Sequence, residues 1–198
     1  MYINLIKKRV KKNQNINNIM IEVEIRSFIS LEKYNELIEF FKTNSKQIKE
    51  DYQETFYFDS KQDLRIQKNK FYSKIWMKKW DNIHDEAREE IEVKFNTEDF
   101  EKLEQIFLAL GYNTEIKWFR TRNMFQWEEV EVCIDYTKGY GHIIELEILT
   151  TKENKEAALI KLKEKLAKLN IKQTPKELFQ EKYDNYKKNW RELTNSSL

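Results

Sequence analysis

The chain has 198 residues, of which 35% are charged and 40% are hydrophobic, and its formal net charge is only +2. This length supports one domain with a hydrophobic core, and the apolar content excludes an intrinsically disordered chain. The single cysteine, Cys133, excludes an intrachain disulfide, and no apolar run approaches the roughly 20 residues of a membrane-spanning helix. The small net charge gives no reason to expect nucleic acid as a partner. We therefore expect a cytoplasmic protein that does not associate with a membrane.

Residues 1–19 are polar and basic, which predicts a flexible tail before one domain at 20–190 and a short second tail at 191–198. Within the domain, alternating apolar residues predict strands, and apolar residues at i, i+3, i+4 spacing predict helices. The predicted strands are 20–29, 46–59, 64–68, 71–79, 87–95, 115–126, 128–136 and 143–149. The predicted helices are 31–42, 98–110, 153–169 and 175–189. This order of elements predicts an α+β domain.

The first strand carries an unusual pattern, because Glu22, Glu24 and Arg26 alternate with apolar residues. Successive side chains of a strand point to opposite sides, so this strand has one apolar face and one charged face. Later strands repeat the pattern, with charged faces that include Arg65, Lys74, Lys78, Arg88, Glu90, Glu92, Arg120, Arg122, Asp135, Glu145 and Glu147. An ordinary open sheet with its charged face in water would also alternate. The uniformity of the charge favours a closed eight-stranded antiparallel β-barrel, with charges inside and helices packed outside.

A charged interior of this kind favours a particular chemistry. Carboxylates two residues apart on a strand offer oxygen ligands to one hard cation, Mg²⁺ or Mn²⁺. Arginine side chains bind phosphate oxygens through paired N–H donors. The combination predicts metal-assisted phosphoryl or nucleotidyl transfer on a polyphosphate.

The order of these motifs along the chain resembles the CYTH superfamily, the triphosphate tunnel metalloenzymes. The segment from Glu22 to Arg26 is similar to that family's ExExK motif. The similarity continues in order through 57–59, 64–66, 74–78, 88–93, 117–122, Asp135, 139–141 and 145–147. It covers about residues 20–188 and implies a tunnel of eight antiparallel strands with helices outside.

The resemblance also implies roles for individual residues. Glu22 and Glu24 would hold the catalytic metal, with Glu145 and Glu147 completing its ligation. The triphosphate would be bound by Arg26, Arg65, Lys74, Lys78, Arg88, Arg120 and Arg122, with Glu90, Glu92 and Asp135 supporting these groups. One residue departs from the family pattern, because Arg26 stands where the motif has lysine. Arginine stays protonated and cannot act as a base, although it can still bind phosphate.

Three functions are compatible with this reading. The first is a metal-dependent hydrolase of inorganic tripolyphosphate, a nucleoside triphosphate or thiamine triphosphate. The second is a class IV-like adenylyl cyclase, which would use the same tunnel to make cyclic AMP from ATP. The third is a non-catalytic triphosphate-binding module, which the arginine at position 26 motivates. A homodimer is expected from the family resemblance alone.

Overall fold

The computed structural model describes residues 20–78 and 90–195, and in these residues eight strands form one antiparallel sheet that packs with four helices. The strands are β1 (Met20–Ile29), β2 (Lys46–Phe58), β3 (Asp63–Lys68), β4 (Ser73–Lys78), β5 (Glu90–Phe95), β6 (Thr114–Trp127), β7 (Val130–Thr137) and β8 (Gly141–Thr151). The helices are α1 (Leu31–Asn44), α2 (Phe100–Ala109), α3 (Lys155–Lys168) and α4 (Lys176–Asn195). The predicted α+β class and the eight antiparallel strands are confirmed.

The predicted closure of the barrel is wrong. The strand order is β1-β8-β7-β6-β2-β3-β4-β5, and no backbone ladder joins β1 to β5 within the described residues. Among the described residues the sheet is therefore curled and open, with β1 and β5 as its edge strands. Alternation along a strand specifies which face each side chain takes, but it does not specify whether the last strand reaches the first. The pattern could not distinguish a closed barrel from a curled open sheet.

Three helices cover the apolar face of the sheet, as expected. Helices α1 and α3 pack against β1, β8, β7 and β6, and the centre of this core includes Phe41, Phe125, Ile134, Leu146 and Leu162. Helix α2 covers a second core around Phe56, Ile66 and Phe100. Both clusters remove apolar area from water, which is the main favourable contribution to folding. No helix in the part of the chain described here is long and apolar enough to cross a membrane.

Helix α4 lies on the opposite face, which carries the charged residues and is called the charged face below. Strand β7 pairs with β6 only from Arg120 onward, so the first residues of β6 have no strand partner on that edge. Tyr186 Oη donates to the Lys117 carbonyl at 2.8 Å, and Trp190 Nε1 donates to the Glu115 carbonyl at 2.9 Å. Helix α4 thus satisfies backbone acceptors that would otherwise be buried without a partner. It covers one end of the charged face.

The turn between β7 and β8 supports this position of α4. Gly139 has φ 74°, and a Cβ added there would lie 2.7 Å from the Leu193 Cβ and 2.9 Å from the Leu193 carbonyl oxygen. We expect Gly139→Ala to lower the free energy of unfolding by about 1–2 kcal/mol for the left-handed backbone and by about 1–3 kcal/mol more for the clash. Urea unfolding would measure the loss.

Gly111→Ala is the matched control for this substitution. Gly111 also has a positive φ, 93°, but nothing lies within 4 Å of an added Cβ. Its alanine variant should therefore show the backbone cost alone. Equal losses in the two variants would mean that the contact between Gly139 and Leu193 does not constrain α4.

Candidate active site

Five glutamates gather on the charged face where β1, β8 and β7 lie side by side, and they are called the carboxylate cluster below. Glu22 and Glu24 come from β1, Glu145 and Glu147 from β8, and Glu131 from β7. The register places Glu24 opposite Glu147, and Glu147 opposite Glu131 on the next strand. All four predicted metal ligands are therefore on neighbouring strands of one face.

The protonation of the carboxylate cluster reflects its crowding. Burial, together with the negative charges of the other four glutamates, raises the pKa of Glu147 to about 8. Burial also raises the pKa of Glu24, although the Arg26 guanidinium opposes the shift, and it raises the pKa of Glu131. The protein's own cations therefore leave the cluster incompletely neutralised.

The donor chemistry of the carboxylate cluster suits Mg²⁺ or Mn²⁺, which prefer oxygen ligands. Within the described ranges, no three histidine, cysteine, aspartate or glutamate side chains are arranged as a coordination sphere. The fit therefore rests on charge and ligand type. Burial and then the neighbouring carboxylates raise the pKa of Glu147, and a divalent cation would relieve the repulsion among these carboxylates.

A second group of side chains, from β6 and β7, adjoins the carboxylate cluster. Arg122 Nη2 lies 2.7 Å from Asp135 Oδ2 and 3.4 Å from Glu145 Oε1, and Arg120 Nη1 lies 3.4 Å from Asp135 Oδ2. Burial lowers the pKa of Arg122, but Asp135 and Glu145 outweigh it and hold that pKa well above its usual range. Asp135 therefore orients both arginines.

Arg26 connects the two groups. Its Nη2 lies 2.7 Å from Glu24 Oε1, and its Nε lies 3.9 Å from Glu145 Oε2, while its side chain is 52% exposed. Glu145 is thus the carboxylate that contacts both Arg26 and Arg122. The exposure of Arg26 leaves much of its guanidinium accessible to a ligand.

The other half of the charged face, on β3 to β5, holds further predicted phosphate ligands. Arg65 Nε donates to Asp63 Oδ1 at 2.6 Å, and the guanidinium lies 4.3 Å from the centre of the Tyr57 ring. Lys74 Nζ lies 2.9 Å from Glu92 Oε2, and the two side chains form an ion pair.

Three predicted site residues lie at the ends of the described segments 20–78 and 90–195 or between them. Lys78 and Glu90 are register partners at the end of the β4–β5 pair, where only the backbone is described. Arg88 lies outside the described residues. Their roles stay predictions.

One glutamate of the carboxylate cluster, Glu131, was not predicted as a site residue from the sequence. Glu131 alternates with Val130 and Val132, so its parity already placed it on the charged face, but no motif marked it. Its importance follows from the neighbouring strand β8, which places Glu147 opposite it.

The raised pKa of Glu147 predicts how stability depends on pH in the metal-free protein. With a pKa of about 8 when folded and about 4.3 when unfolded, Glu147 keeps a proton in the folded state that the unfolded chain has lost. The free energy of unfolding should therefore fall as pH rises between these two values. Thermal unfolding in EDTA across that range would measure the slope.

Two further measurements test whether Glu147 causes this pH dependence of the free energy of unfolding. Glu147→Gln should flatten it, because glutamine does not titrate. Added Mg²⁺ should raise the melting temperature most at the alkaline end, where the folded state has lost the proton. A slope that is identical in Glu147→Gln would show that another group titrates.

Comparisons with known proteins find relatives in sequence and in fold. A Methanocaldococcus jannaschii protein, provisionally named an adenylate cyclase, is 34% identical over 164 residues, which is 77% of this chain and 91% of that protein. The structure of a conserved hypothetical protein from Pyrococcus furiosus matches with a TM-score of 0.61 and 24% identity, covering 76% of this chain and 91% of that one. A Hippeastrum structure, described as a provisional adenylyl cyclase with a dominant triphosphatase activity, matches with a TM-score of 0.55 and 16% identity, covering 77% and 89%.

The two structural matches show a shared fold. The family model named CYTH domain matches residues 20–178, which is most of the chain. The predicted family is confirmed, and the chain belongs to the CYTH domain family.

Proposed function

We propose that this chain is a divalent-metal-dependent triphosphatase that binds its substrate on the charged face of the sheet. The observation that carries the proposal is the position of Glu145, which contacts both Arg26 and Arg122. The carboxylate cluster and the arginines are therefore in direct contact. A triphosphate bound with a cation needs both kinds of group within one site.

The proposed roles follow from these contacts. Arg120 and Arg122, oriented by Asp135, would bind phosphate oxygens, and Arg65 and Lys74 would bind a phosphate further along the face. A divalent metal held by Glu22, Glu24, Glu145 and Glu147 would supply charge neutralisation and the attacking water. Hydrolysis of the terminal anhydride bond would release phosphate and leave a diphosphate.

Arg26 would act through its charge in this mechanism. It cannot accept a proton from water, because a guanidinium stays protonated at any physiological pH. Its 2.7 Å contact with Glu24 and its exposure suit a side chain that moves from the carboxylate to a bound phosphate. The proposed enzyme therefore does not use position 26 as a base.

A second candidate function is an adenylyl cyclase. It is favoured by the name of the Methanocaldococcus jannaschii relative, whereas the Hippeastrum structure is described by its triphosphatase activity. In the cyclase, the ribose 3′ hydroxyl of ATP attacks the α-phosphate and pyrophosphate leaves. Both reactions would need the same carboxylates and arginines.

One experiment separates these functions. The purified full chain is incubated with tripolyphosphate, ATP or thiamine triphosphate and with Mg²⁺ or Mn²⁺, and phosphate and cyclic AMP are measured in the same samples. Phosphate release that a chelator abolishes is the expected result. Cyclic AMP with pyrophosphate would favour the cyclase. If neither product forms while triphosphate raises the melting temperature, the protein is a binding module.

A further inference from the structure

The charged face is divided between two parts of the sheet that meet at a short ladder. The first part contains β1, β8, β7, β6 and β2, and the second part contains β3, β4 and β5. Strand β2 pairs with β6 along most of its length, from Lys46 to Phe58, but it pairs with β3 only from Glu54 to Tyr57. Among the residues that the structure describes, the first half of β2 therefore has no strand partner on the side of the second part.

The proposed triphosphate site spans both parts. Arg120 and Arg122 lie on β6, and Lys74 lies on β4. Strands β2 and β3 lie between them, so the path along the sheet has three steps of about 4.8 Å each. Because the sheet is curled, the straight gap between the arginines and Lys74 is shorter than this path and depends on the angle between the two parts. One triphosphate can contact both sets of cations only if that angle is held.

Asp51 ties the two parts together where the ladder is missing. It is the register partner of Arg122, which places it on the charged face, and its side chain is 0% exposed. Its Oδ1 accepts from the Lys70 backbone N–H at 3.2 Å, in the turn between β3 and β4. Its Oδ2 lies 2.6 Å from Lys49 Nζ and accepts from Gln53 Nε2 at 3.3 Å. A buried carboxylate with these partners has a fixed position, because moving away from them would leave its charge unpaired.

The turn held in this way has its own internal bonds. The buried Asn69 accepts at its Oδ1 from the backbone N–H groups of Phe71, at 2.8 Å, and Tyr72, at 3.0 Å. Lys49 Nζ lies 5.0 Å from the centre of the Phe71 ring, so the cation beside the buried aspartate also contacts the turn. Lys74 follows Tyr72 by two residues, near the start of β4. A fixed turn therefore gives Lys74 a fixed position.

We propose that Asp51 is a positioning residue that sets the gap between the arginines of β6 and Lys74, and so favours three linked phosphates over two. The inference rests on the proposed function, because it concerns how the substrate of that function is held. A diphosphate contacts the cations of one part only, so its affinity does not depend on the angle between the parts. A triphosphate that contacts both parts loses a contact when the angle is not held. Asp51 itself touches no phosphate.

Equilibrium binding in the absence of metal tests this role, because no substrate turns over. Calorimetry on the full chain in EDTA would compare inorganic tripolyphosphate with pyrophosphate. Asp51→Ala should weaken tripolyphosphate binding about 3- to 10-fold, the effect of one hydrogen bond, and leave pyrophosphate binding unchanged. Asp51→Asn keeps an oxygen that can accept from the Lys70 N–H, so it should keep most of the wild-type ratio of the two affinities.

A second variant and a matched control accompany this measurement. Asn69→Ala loosens the same turn from within and should lower the same ratio, so it decides the question if Asp51→Ala does not fold. Asp59→Ala is the control, because Asp59 follows the other end of β2 and its Oδ1 accepts from the Asn113 backbone N–H at 2.6 Å. It holds the loop before β6 instead of the turn before β4, and its loss should leave the ratio unchanged.

The ratio of affinities separates a positioning role from a general structural role. An unchanged ratio in Asp51→Ala, or in Asn69→Ala if the first variant does not fold, would overturn the proposal. Equal weakening of both ligands, or an equal fall of the ratio in Asp59→Ala, would also overturn it, as would a wild-type protein that binds tripolyphosphate no more tightly than pyrophosphate. If the ratio falls as expected but no triphosphate is hydrolysed with Mg²⁺ or Mn²⁺, the proposed function is wrong and the role of Asp51 in binding stands.

Discussion

Replacing Glu22 with glutamine is expected to lower kcat for triphosphate hydrolysis by more than about 100-fold. Loss of a group that merely supports a metal ligand already costs about 10–100-fold, so loss of a ligand itself should cost more. After burial, the charge of Glu22 also contributes to the raised pKa of Glu147, in agreement with its place in the carboxylate cluster. Because Glu22 is exposed and glutamine has the same shape, the fold should be unchanged.

Two measurements accompany this variant. The concentration of Mg²⁺ that gives half-maximal activity should rise, and binding of tripolyphosphate to the metal-free protein should persist, since the arginines are untouched. Glu39→Gln is the control, because Glu39 is exposed on α1 and its carboxylate forms an ion pair with Lys42 at 3.0 Å, away from the charged face. Wild-type turnover by Glu22→Gln with an unchanged metal requirement would show that the metal ligands on β1 are assigned wrongly.

The face on which each charged residue lies was predictable from the sequence, but its partner was not. Alternation alone assigned Glu22, Glu24, Glu145 and Glu147 to one side of the sheet. It did not show that β1 and β8 are neighbours, which is what places Glu24 opposite Glu147. The partners of the arginines could not be predicted either, because the pairing of Arg122 with Asp135 depends on the register between β6 and β7.

The first residue of a strand differs from the prediction where the backbone adopts a conformation that its residue types do not indicate. Strand β7 was predicted from 128 but begins at Val130, because Glu128 has a left-handed φ of 56° at a turn without glycine or asparagine. Lys165 from α3 contacts this glutamate at 2.7 Å. A tertiary contact therefore helps to hold the turn, and such contacts are invisible to local patterns.

The position of α4 was the least predictable feature of the fold. Its aromatic residues, including Tyr186 and Trp190, were spaced for packing, and both are buried. Their partners are backbone carbonyls of β6 that β7 is too short to reach. The difference in length between two neighbouring strands therefore leaves the carbonyl acceptors that this helix bonds where it covers the charged face.

Arg122→Met is expected to lower the free energy of unfolding by about 3–5 kcal/mol, because it leaves the buried Asp135 without its closest cation. The Asp135 side chain is only 7% exposed and lies 2.7 Å from Arg122 Nη2, whereas Arg120 lies 3.4 Å away. Chemical denaturation at neutral pH would measure the loss. Arg120→Met should lose less stability, since Asp135 would keep its bond to Arg122.

The double variant Arg122→Met/Asp135→Leu separates the structural role of this ion pair from its role in binding. Replacing a whole buried ion pair by apolar residues of similar volume is often neutral or stabilising, so we expect stability to return toward that of the wild type. Affinity for tripolyphosphate should not return, because the guanidinium that would bind phosphate is still absent. Recovery of both properties would show that Arg122 is structural and that the triphosphate is bound by other cations of the charged face.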